Sequence, residues 1–581
     1  MKKIISLLLV LSIVLTLGAV LTSCGAPEDD GAEIAVYLGN AIYDFDPTDY
    51  YVDSNAEQVL GLLYEPLFRL NNGKLECGLA GSYDVDREKR EIKIELRETY
   101  WSNGTRVNAS DFVYSWSERL LNPNNANPAA ALLYDIENAA AIKSGVMSPA
   151  DLKVEATGIY ELTITYREGA DHNQLLHNLA SVATAPVRQS AVDTGVGYWS
   201  KDLITLVTNG PFKISRYSTV TGELHLERNK GYHQNPGVEN YTANVTPGTL
   251  VGFTTGYGDA IEVSYSDIES KTVFYLQDAP LSVRAASKDK ATVVADTSVY
   301  SYVFNTDNPL FAIPAVRIAL SKAIDRNAIA NAVTFGKAAD GFIPDVSGGS
   351  TEALISTSAD KSAAEQLLAS VDFTGIDKAF TLTVADDEES VAIAEIVKTS
   401  WEQLGFSVTI HKASSIETVL NAAEDGKESD NEIRFSDSEI QALVKDAAFG
   451  IRNFDVIAVD WQTYCDEAFV GLASFSSHLS GNGKVLPEGS PRPSISGWVN
   501  SDYDSYISLA FKYDGEKREA ILREAEAYLA SEMPVCPILF NESFAFVSSE
   551  LSGLDFDDFG NVIFTKVEQK DYKAYLAKEE E

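Results

Sequence analysis

Several short stretches of this chain alternate apolar and polar residues, which is the pattern of half-buried β-strands. Residues 33–38 and 91–97 show it most clearly, and in the second stretch Ile92, Ile94 and Leu96 fall on one face. Because successive side chains of a strand point to opposite faces, we predict that these three side chains pack into a core. The first part of the chain is therefore predicted to form sheet.

Residues 380–410 combine the periods of strands and of a helix. Residues 380–384 alternate as a strand, and five apolar residues then fall on one helical stripe, namely Val391, Ala394, Val397, Trp401 and Leu404. Gly405 ends the predicted helix, and 406–410 forms the returning strand. A strand, helix and strand of this size imply parallel strands joined by a right-handed crossover. The pattern therefore predicts an α/β fold.

The stretch 454–467 joins a predicted buried strand to an exit that is rich in functional groups. Its apolar run, Val456 to Val459, predicts the strand, and acidic and aromatic residues crowd the segment from Asp460 to Glu467. Open α/β sheets place ligands just beyond the carboxyl ends of their strands. The stretch is therefore a candidate ligand site or, alternatively, an ordinary strand exit with a packed Trp461.

The amino terminus has the pattern of an export signal. Lys2 and Lys3 precede an apolar run at 4–20, whose length also leaves an uncleaved membrane anchor as the alternative. Leu21-Thr22-Ser23-Cys24 resembles the bacterial lipobox, and this resemblance implies cleavage before Cys24 and a lipid on its thiol. We therefore predict a signal peptide at 1–23, a lipidated tether at 24–32, and a protein anchored to the cell membrane that faces outside, extracellularly or in the periplasm.

Length and composition exclude several classes of function. A chain of 581 residues is too long for one core, so we expect several domains. The net charge of −39 argues against nucleic-acid binding. Six His and four Cys lack the spacings of zinc sites, so we expect no metal site, and we expect no cofactor. The esterase elbow motif is also absent from the sequence. Apart from Cys24, the thiols of Cys77, Cys465 and Cys536 form at most one disulfide or are all free.

Residues 83–116 carry a distinctive order of motifs. Tyr83-Asp84-Val85 and Ile94-Glu95-Leu96-Arg97 precede the run 101–116, Trp-Ser-Asn-Gly-Thr-Arg-Val-Asn-Ala-Ser-Asp-Phe-Val-Tyr-Ser-Trp. This order closely resembles the family 5 extracellular solute-binding proteins of ABC importers, and 121–128 resembles their oligopeptide-binding lipoproteins. The resemblance covers about 33–560 and is weak over 240–300 and 413–450.

This resemblance implies an α/β fold of the class II periplasmic-binding-protein type. Two lobes are joined by two crossing hinge segments, and an extra domain is inserted in the first lobe. The predicted boundaries are 33–68, 195–298 and 536–565 for lobe I, 69–194 for the inserted domain, and 299–535 for lobe II. Within lobe II, 413–450 is predicted to be an acidic insertion that forms a solvated loop or hairpin.

The same resemblance implies binding and not catalysis. The protein is expected to be a monomer that captures oligopeptides between two closing lobes and delivers them to the permease subunits of an ABC importer. A second hypothesis keeps the fold but changes the ligand to an oligosaccharide, an opine or a metal chelate. A third is an exported hydrolase, although acid pairs such as Asp466 and Glu467 are common in so acidic a chain.

The resemblance also indicates which residues bind the ligand. In the oligopeptide-binding branch a loop of lobe I and a strand end of lobe II pair with the ligand's main chain. The matching positions here are Tyr51, Val52, Asp53, Trp461, Gln462 and Thr463, with packing at the interlobe rim as the alternative for Tyr51 and Trp461. The aspartate that holds the peptide's amino terminus corresponds to Tyr464, whose phenol is uncharged at neutral pH. Asp466 or Asp460 could supply the missing charge instead.

Overall fold

The computed structural model describes residues 32–39, 42, 44–49, 54–195, 199–218, 223–233, 250–256, 265–277, 279–414, 418–419, 434–435, 438–481 and 494–570. The predicted signal peptide, the lipidated Cys24, the ligand-pairing residues Tyr51 to Asp53 and most of the acidic insertion lie outside these residues. Among the described helices, none has both the length and the apolar character that crossing a bilayer requires.

A large mixed sheet of eleven strands organises the described residues. Ten of its strands follow one path, in the spatial order β15 (Ser407–Ala413), β14 (Ala379–Ala385), β18 (Val456–Gln462), β12 (Thr292–Phe304), β19 (Val535–Val547), β11 (Tyr275–Gln277), β1 (Ala32–Tyr37), β10 (Leu250–Gly256), β9 (Leu224–Arg228) and β8 (Phe212–Tyr217). Off this path, β13 (Lys337–Ala338) pairs with β19.

Two long antiparallel strands, β12 and β19, join the halves of this sheet and are thirteen residues each. On one side β12 pairs with β18, and on the other β19 pairs with β11. The register between β12 and β19 breaks between Ala295 and Val299, as in a β-bulge. These strands are the two crossing segments of the predicted two-lobe fold. We call the half with β1 and β8 to β11 lobe I, and the half with β14, β15 and β18 lobe II.

Lobe II contains the α/β unit that the sequence predicted. Strands β14 and β15 are parallel, and helix α11 (Glu388–Glu402) connects them. Ala394, Val397 and Trp401 of this helix are buried, and the Trp401 indole donates a hydrogen bond to the Leu320 carbonyl at 2.9 Å. Gly405 has a φ of +89°, a left-handed conformation that glycine adopts without strain and that ends a helix.

A separate antiparallel sheet forms within the predicted inserted domain, in the order β4 (Ala80–Asp86), β5 (Glu91–Leu96), β7 (Glu161–Thr165) and β6 (Val154–Ala156). Ile92, Ile94 and Leu96 are buried, as their alternation predicted. Helix α2 (Ala109–Tyr114) begins at a capping box, in which the Asn108 backbone N–H donates to Asp111 at 2.9 Å. We call residues 69–194 the inserted region, and its boundaries and those of the lobes stay predictions.

The remaining described strands form four antiparallel pairs: β2 (Phe68–Asn71) with β3 (Lys74–Cys77), β16 (Thr418–Val419) with β17 (Arg434–Phe435), β20 (Leu551–Ser552) with β23 (Glu568–Gln569), and β21 (Asp555–Phe556) with β22 (Val562–Ile563). The remaining described α-helices are α1 (Ser54–Leu63), α3 (Ala139–Lys143), α4 (His172–Asn178), α5 (Gln189–Thr194), α6 (Tyr265–Ser270), α7 (Leu281–Ser287), α8 (Pro314–Lys322), α9 (Arg326–Val333), α10 (Lys361–Ala369), α12 (Glu439–Ala448), α13 (Ala468–Ala473), α14 (Ser501–Ala510) and α15 (Gly515–Glu532). A 3₁₀-helix of six residues spans Pro128–Leu133, and single 3₁₀ turns lie at Pro149–Asp151, Val182–Thr184, Lys288–Lys290 and Asp345–Ser347. A π-helix spans Ser115–Leu120.

The end of the predicted acidic insertion differs from the expected loop or hairpin, because its last part is helix α12. Val444, Ala447 and Ala448 of this helix are buried. Their spacing of three to four residues places them on one face, so the helix packs on lobe II while its other face meets solvent. Acidic composition over the whole segment obscured this amphipathic stretch in the sequence.

Candidate ligand-binding site

The candidate site starts where β18 ends, beside the crossing strand β12. On that side the pairing runs along the whole of β18, from Val456 opposite Phe304 to Gln462 opposite Ser298. On the other side β14 pairs only with Val456 and Ile457. The end of β18 thus lies at the carboxyl ends of the lobe II strands, where open α/β sheets bind ligands.

Trp461 fixes this strand end by packing. Its side chain stacks on Phe475, with ring centroids 4.3 Å apart and planes 12° apart, and its indole N–H donates to Ser474 Oγ at 3.1 Å. The residue is only 6% exposed. Both partners lie at the end of α13 or just beyond it, so the indole is held by lobe II itself. The Trp461 side chain thus packs within lobe II and not against lobe I at the rim, and its contact with a ligand stays a prediction.

Gln462, Thr463 and Tyr464 continue the buried path of the chain. The Thr463 N–H donates to the Thr297 carbonyl at 3.1 Å, which ties the exit of β18 to the β-bulge of β12. Tyr464 is fully buried and has a φ of +65°. This left-handed conformation costs a residue other than glycine roughly 1–3 kcal/mol, so the surrounding packing holds the turn in place.

Asp466 lies between lobe II and the inserted region. Its carboxylate accepts hydrogen bonds from Gln174 Nε2 at 2.8 Å and pairs with His177 Nδ1 at 2.7 Å. Burial acts to raise the pKa of Asp466, but these hydrogen bonds outweigh it and the pKa lies below its ordinary value. The carboxylate therefore stays charged and already has two protein partners.

The other acids of this stretch are engaged as well. Asp460 accepts a hydrogen bond from Asn541 Nδ2 at 2.8 Å, and Asn541 lies on the crossing strand β19. Glu467 accepts one from Arg518 Nη2 at 2.9 Å. Burial raises the pKa of Glu467 to about 7, although the Arg518 guanidinium opposes the shift. Each acid between 460 and 467 therefore has a protein donor in this arrangement.

Lobe I contributes an acidic loop, residues 44–49, directly before the predicted ligand-pairing residues. Asp46 is buried, forms an ion pair with Arg119 and accepts hydrogen bonds from the N–H and hydroxyl of Thr48. Burial raises the pKa of Asp49 to about 6, and the nearby Lys445 ammonium opposes the rise. Lys445 belongs to α12 of lobe II. Asp49 and Lys445 thus bring opposite charges together across the two lobes.

The chemistry of this site is that of binding. Among the described residues, no group of three or more His, Cys, Asp and Glu side chains could hold a metal ion. The sequence profile described as "Bacterial extracellular solute-binding proteins, family 5 Middle" matches residues 74–475, which is more than half of the chain. This protein belongs to family 5 of the bacterial extracellular solute-binding proteins. The members that it resembles are binding proteins, so it is not an enzyme and the hydrolase hypothesis is not supported.

Family 5 relatives match this chain along most of its length. The oligopeptide-binding protein OppA of Bacillus subtilis is 24% identical over 532 residues, which cover 88% of each chain. The periplasmic murein peptide-binding protein MppA of Escherichia coli is 27% identical over 500 residues, which cover 83% of this chain and 82% of that protein. The matched segments thus span more than four fifths of this chain and of each of these relatives.

Solved structures of family 5 proteins show the same fold. The pheromone receptor PrgZ superposes with a TM-score of 0.76 at 20% identity, covering 93% of this chain and all of that one. A structure of the Escherichia coli murein tripeptide-binding protein MppA gives 0.72 at 24% identity, covering 91% and 96%. Its unliganded open form gives 0.54 at 23% identity, covering 93% and 97%.

Sequence reasoning missed the groups that complete this site. Gln174 and His177 contact Asp466 from 292 and 289 residues away along the chain. Arg518 meets Glu467 from 51 residues away. These side chains follow no spacing pattern, because the fold alone brings them together. For Asp49 the run of acids at Asp44, Asp46 and Asp49 was the available signal.

Proposed function

We propose that this family 5 protein captures oligopeptides between its two lobes and delivers them to the permease of an ABC importer, while a lipid on Cys24 anchors it to the membrane. The observation that carries the proposal is the likeness along nearly the whole chain to proteins named for binding oligopeptides, murein peptides and dipeptides. The pattern around Cys24 supports the anchor, since Leu21-Thr22-Ser23-Cys24 resembles a lipobox.

The proposed binding mode adds the peptide as a strand. The position of the β18 end supports this mode, because it lies at the carboxyl ends of the lobe II strands, where open α/β sheets bind ligands. From lobe II, backbone groups of Trp461 and Gln462 and the carbonyl of Thr463, whose N–H already donates to Thr297, would bond the peptide main chain. From lobe I, backbone groups of Tyr51, Val52 and Asp53 would do the same. Because these bonds involve only the main chain, they give affinity for peptides of any sequence, which is what a receptor for varied peptides requires.

The amino end of the peptide has two candidate anchors. Gln174 and His177 each contact one oxygen of the Asp466 carboxylate in this structure. Asp466 would therefore bind a ligand's ammonium group only if the ligand displaced both side chains. Asp49 precedes the predicted pairing loop, and burial together with the neighbouring Asp46 and Asp44 raises its pKa to about 6. A ligand ammonium beside Asp49 would lower that pKa and gain an ion pair shielded from water. We propose Asp49 as the alternative to the Asp466 anchor.

A second candidate function is the binding of a non-peptide solute. The probable deoxycholate-binding periplasmic protein YgiS of Escherichia coli is 23% identical over 539 residues, which cover 90% of each chain. Tyr464 at the position of the expected anchoring aspartate, together with the engagement of Asp460 and Asp466, favours a ligand without a free amino group. An oligosaccharide, an opine or a metal chelate stays within this alternative.

A thermal-shift screen of the mature chain separates these functions. Peptides of two to nine residues, bile acids and oligosaccharides are compared at equal concentration. At about 100 times its Kd a ligand stabilises by roughly 2.7 kcal/mol, which raises the Tm of a protein of this size by about 2–3 °C. A rise with peptides alone supports the proposal. A rise with bile acids or sugars and none with peptides would reject it in favour of the second function.

Substitutions then identify the anchor. If Asp49 holds the peptide's amino group, D49N weakens binding of a free peptide about tenfold but leaves its N-acetylated form unchanged. If Asp466 is the anchor instead, D466N weakens binding of the free peptide and leaves binding of the N-acetylated form unchanged. Equal affinities for free and acetylated peptides in the native chain would exclude both anchors.

A further inference from the structure

We propose that the inserted region and lobe II form a latch that holds the lobes closed without a ligand, through Asp466 with His177 and through Arg518 with Asp135. The inference rests on the two-lobe closure of the proposed function, but it concerns contacts that need no ligand. We call these two sets of contacts the acid–histidine pair and the buried arginine cluster.

The buried arginine cluster joins lobe II to the inserted region. Arg518 of α15 has a side chain that is 3% exposed, and its Nη1 lies 3.3 Å from both carboxylate oxygens of Asp135 in the inserted region. Arg167, also in the inserted region, donates to the same Asp135. With Glu467 the cluster contains two guanidinium groups and two carboxylates, so its formal charges balance. Balanced charges with good geometry are a requirement for burying ions.

The acid–histidine pair forms a second crossing contact. His177 and Gln174 lie on α4 of the inserted region, and together they contact both oxygens of Asp466. The side chains of His177 and Asp466 are 26% and 28% exposed. This contact is therefore more accessible to water than the buried arginine cluster. Substitutions of His177 or Asp466 should accordingly disturb the core less than substitutions of Arg518.

Close backbone packing accompanies these ionic contacts. Gly169 of the inserted region has a φ of +76°, and a Cβ at this position would lie 2.7 Å from the Lys512 carbonyl oxygen of lobe II. Arg167 also places its guanidinium 4.0 Å from the ring centroid of Phe511, which is cation–π geometry. The two surfaces thus meet in direct contact, with no space for a ligand at this point.

The inserted region is bonded to lobe I. When the two lobes move apart, the contacts that break are therefore those between the inserted region and lobe II. Arg119 pairs with Asp46, and Asn125 Nδ2 donates to the Thr48 carbonyl at 2.7 Å. The Tyr100 N–H donates to the Gly231 carbonyl at 3.0 Å, just after β9 of lobe I. These bonds join the inserted region to two segments of the chain in and around lobe I, the loop 44–49 and the turn after β9. Opening lobe II away from that body must break the contacts of Asp466 and Arg518.

A latch of this kind shifts the balance between open and closed protein before any ligand binds. A ligand shifts that balance only through its preference for one state, so contacts within the protein add to its effect. The latch is thus expected to give the unliganded protein a substantial closed population and to slow ligand release.

The test is single-molecule FRET on the unliganded mature chain, with dyes at D84C in the inserted region and E395C in lobe II. Both positions are exposed, and C77S removes the half-buried native thiol. H177A, D466A and the double variant are compared with K361A, which removes an exposed ion pair within α10 of lobe II. Circular dichroism confirms folding, and H177Q replaces H177A if that variant unfolds.

The latch predicts a largely closed native protein and a fall in the closing constant of about fivefold for each single variant. The double variant should lose no more than either single variant, because both remove the same contact. K361A should match the native chain. An open native protein, unchanged FRET in H177A and D466A, or additive single effects would each overturn the proposal. Because no peptide is used, failure here is distinct from failure of the peptide-binding screen.

Discussion

Removal of Arg518 should destabilise the protein strongly and in a pH-dependent way. The substitution R518M keeps most of the side-chain volume over the Phe469 ring, 4.3 Å from the present guanidinium carbon, but it removes the charge. Asp135 retains Arg167, whereas Glu467 is left beside the like charges of Asp135 and Asp466. Breaking a buried ion pair from one side typically costs about 3–5 kcal/mol, because the remaining charge is uncompensated. We expect a loss in this range at pH 8.

At lower pH the cost should shrink, because Glu467 can take up a proton. Its pKa is already about 7 with Arg518 present, and losing the guanidinium raises it further. At pH 5.5 the neutral carboxyl needs no cation, so we expect R518M to cost less than half of its pH 8 value. The assay is urea unfolding followed by tryptophan fluorescence at both pH values.

The matched control is R523M on the same helix. Arg523 pairs with Glu519 at 3.7 Å, and both side chains are about half exposed or more, at 48% and 60%. Exposed pairs of this kind contribute roughly 0.2–1 kcal/mol, so R523M should change the unfolding free energy little at either pH. Equal losses for R518M and R523M, or a loss for R518M that is larger at pH 5.5 than at pH 8, would refute the account of the buried arginine cluster.

Three further predictions concern pH, backbone and anchor. Burial raises the pKa of Glu57 to about 8 and of Asp557 to about 7, so the native state holds protons that the unfolded chain releases. Stability should therefore fall as pH rises from about 4.5 to 8, and calorimetry should give a higher Tm at pH 5.5 than at pH 8.5. G169A should cost about 1–3 kcal/mol more than G104A, since both glycines have positive φ but only Gly169 faces a backbone oxygen; equal Tm values would contradict this. C24S should abolish labelling by a fatty-acid analogue and release the protein from the membrane fraction, whereas C77S should do neither.

Much of the fold could be predicted because local patterns encode burial. The alternating residues Ile92, Ile94 and Leu96 are buried in the structure. Of the predicted helical stripe, Ala394, Val397 and Trp401 are buried, and its first and last members, Val391 and Leu404, are partly buried. The crossing strands were harder to predict, since β12 and β19 pair over more than 230 residues of separation, as in Val303 opposite Val535. Their register and the break beside Ala295 depend on tertiary contacts that no local pattern shows.

At the candidate site the strand was predictable from the sequence, whereas the partners of its acidic side chains were not. The sequence placed a strand end rich in acids at 454–467, and β18 ends there at Gln462. The sequence does not show which of these acids a ligand could reach, because Asp460, Asp466 and Glu467 have their hydrogen-bond partners on elements that are distant along the chain. The same limit applies to Trp461, whose stacking on Phe475 depends on how α13 folds back.

Capture of a peptide between the two lobes is the basis of the proposed function. It can be measured by isothermal titration of the mature chain with the peptide that gives the largest thermal shift, with the D84C and E395C dye pair read in the same samples. Capture between the lobes predicts one peptide per chain and a rise in FRET that saturates with the binding curve. A saturating heat with unchanged FRET, or no binding of any peptide while a bile acid or sugar binds, would contradict it.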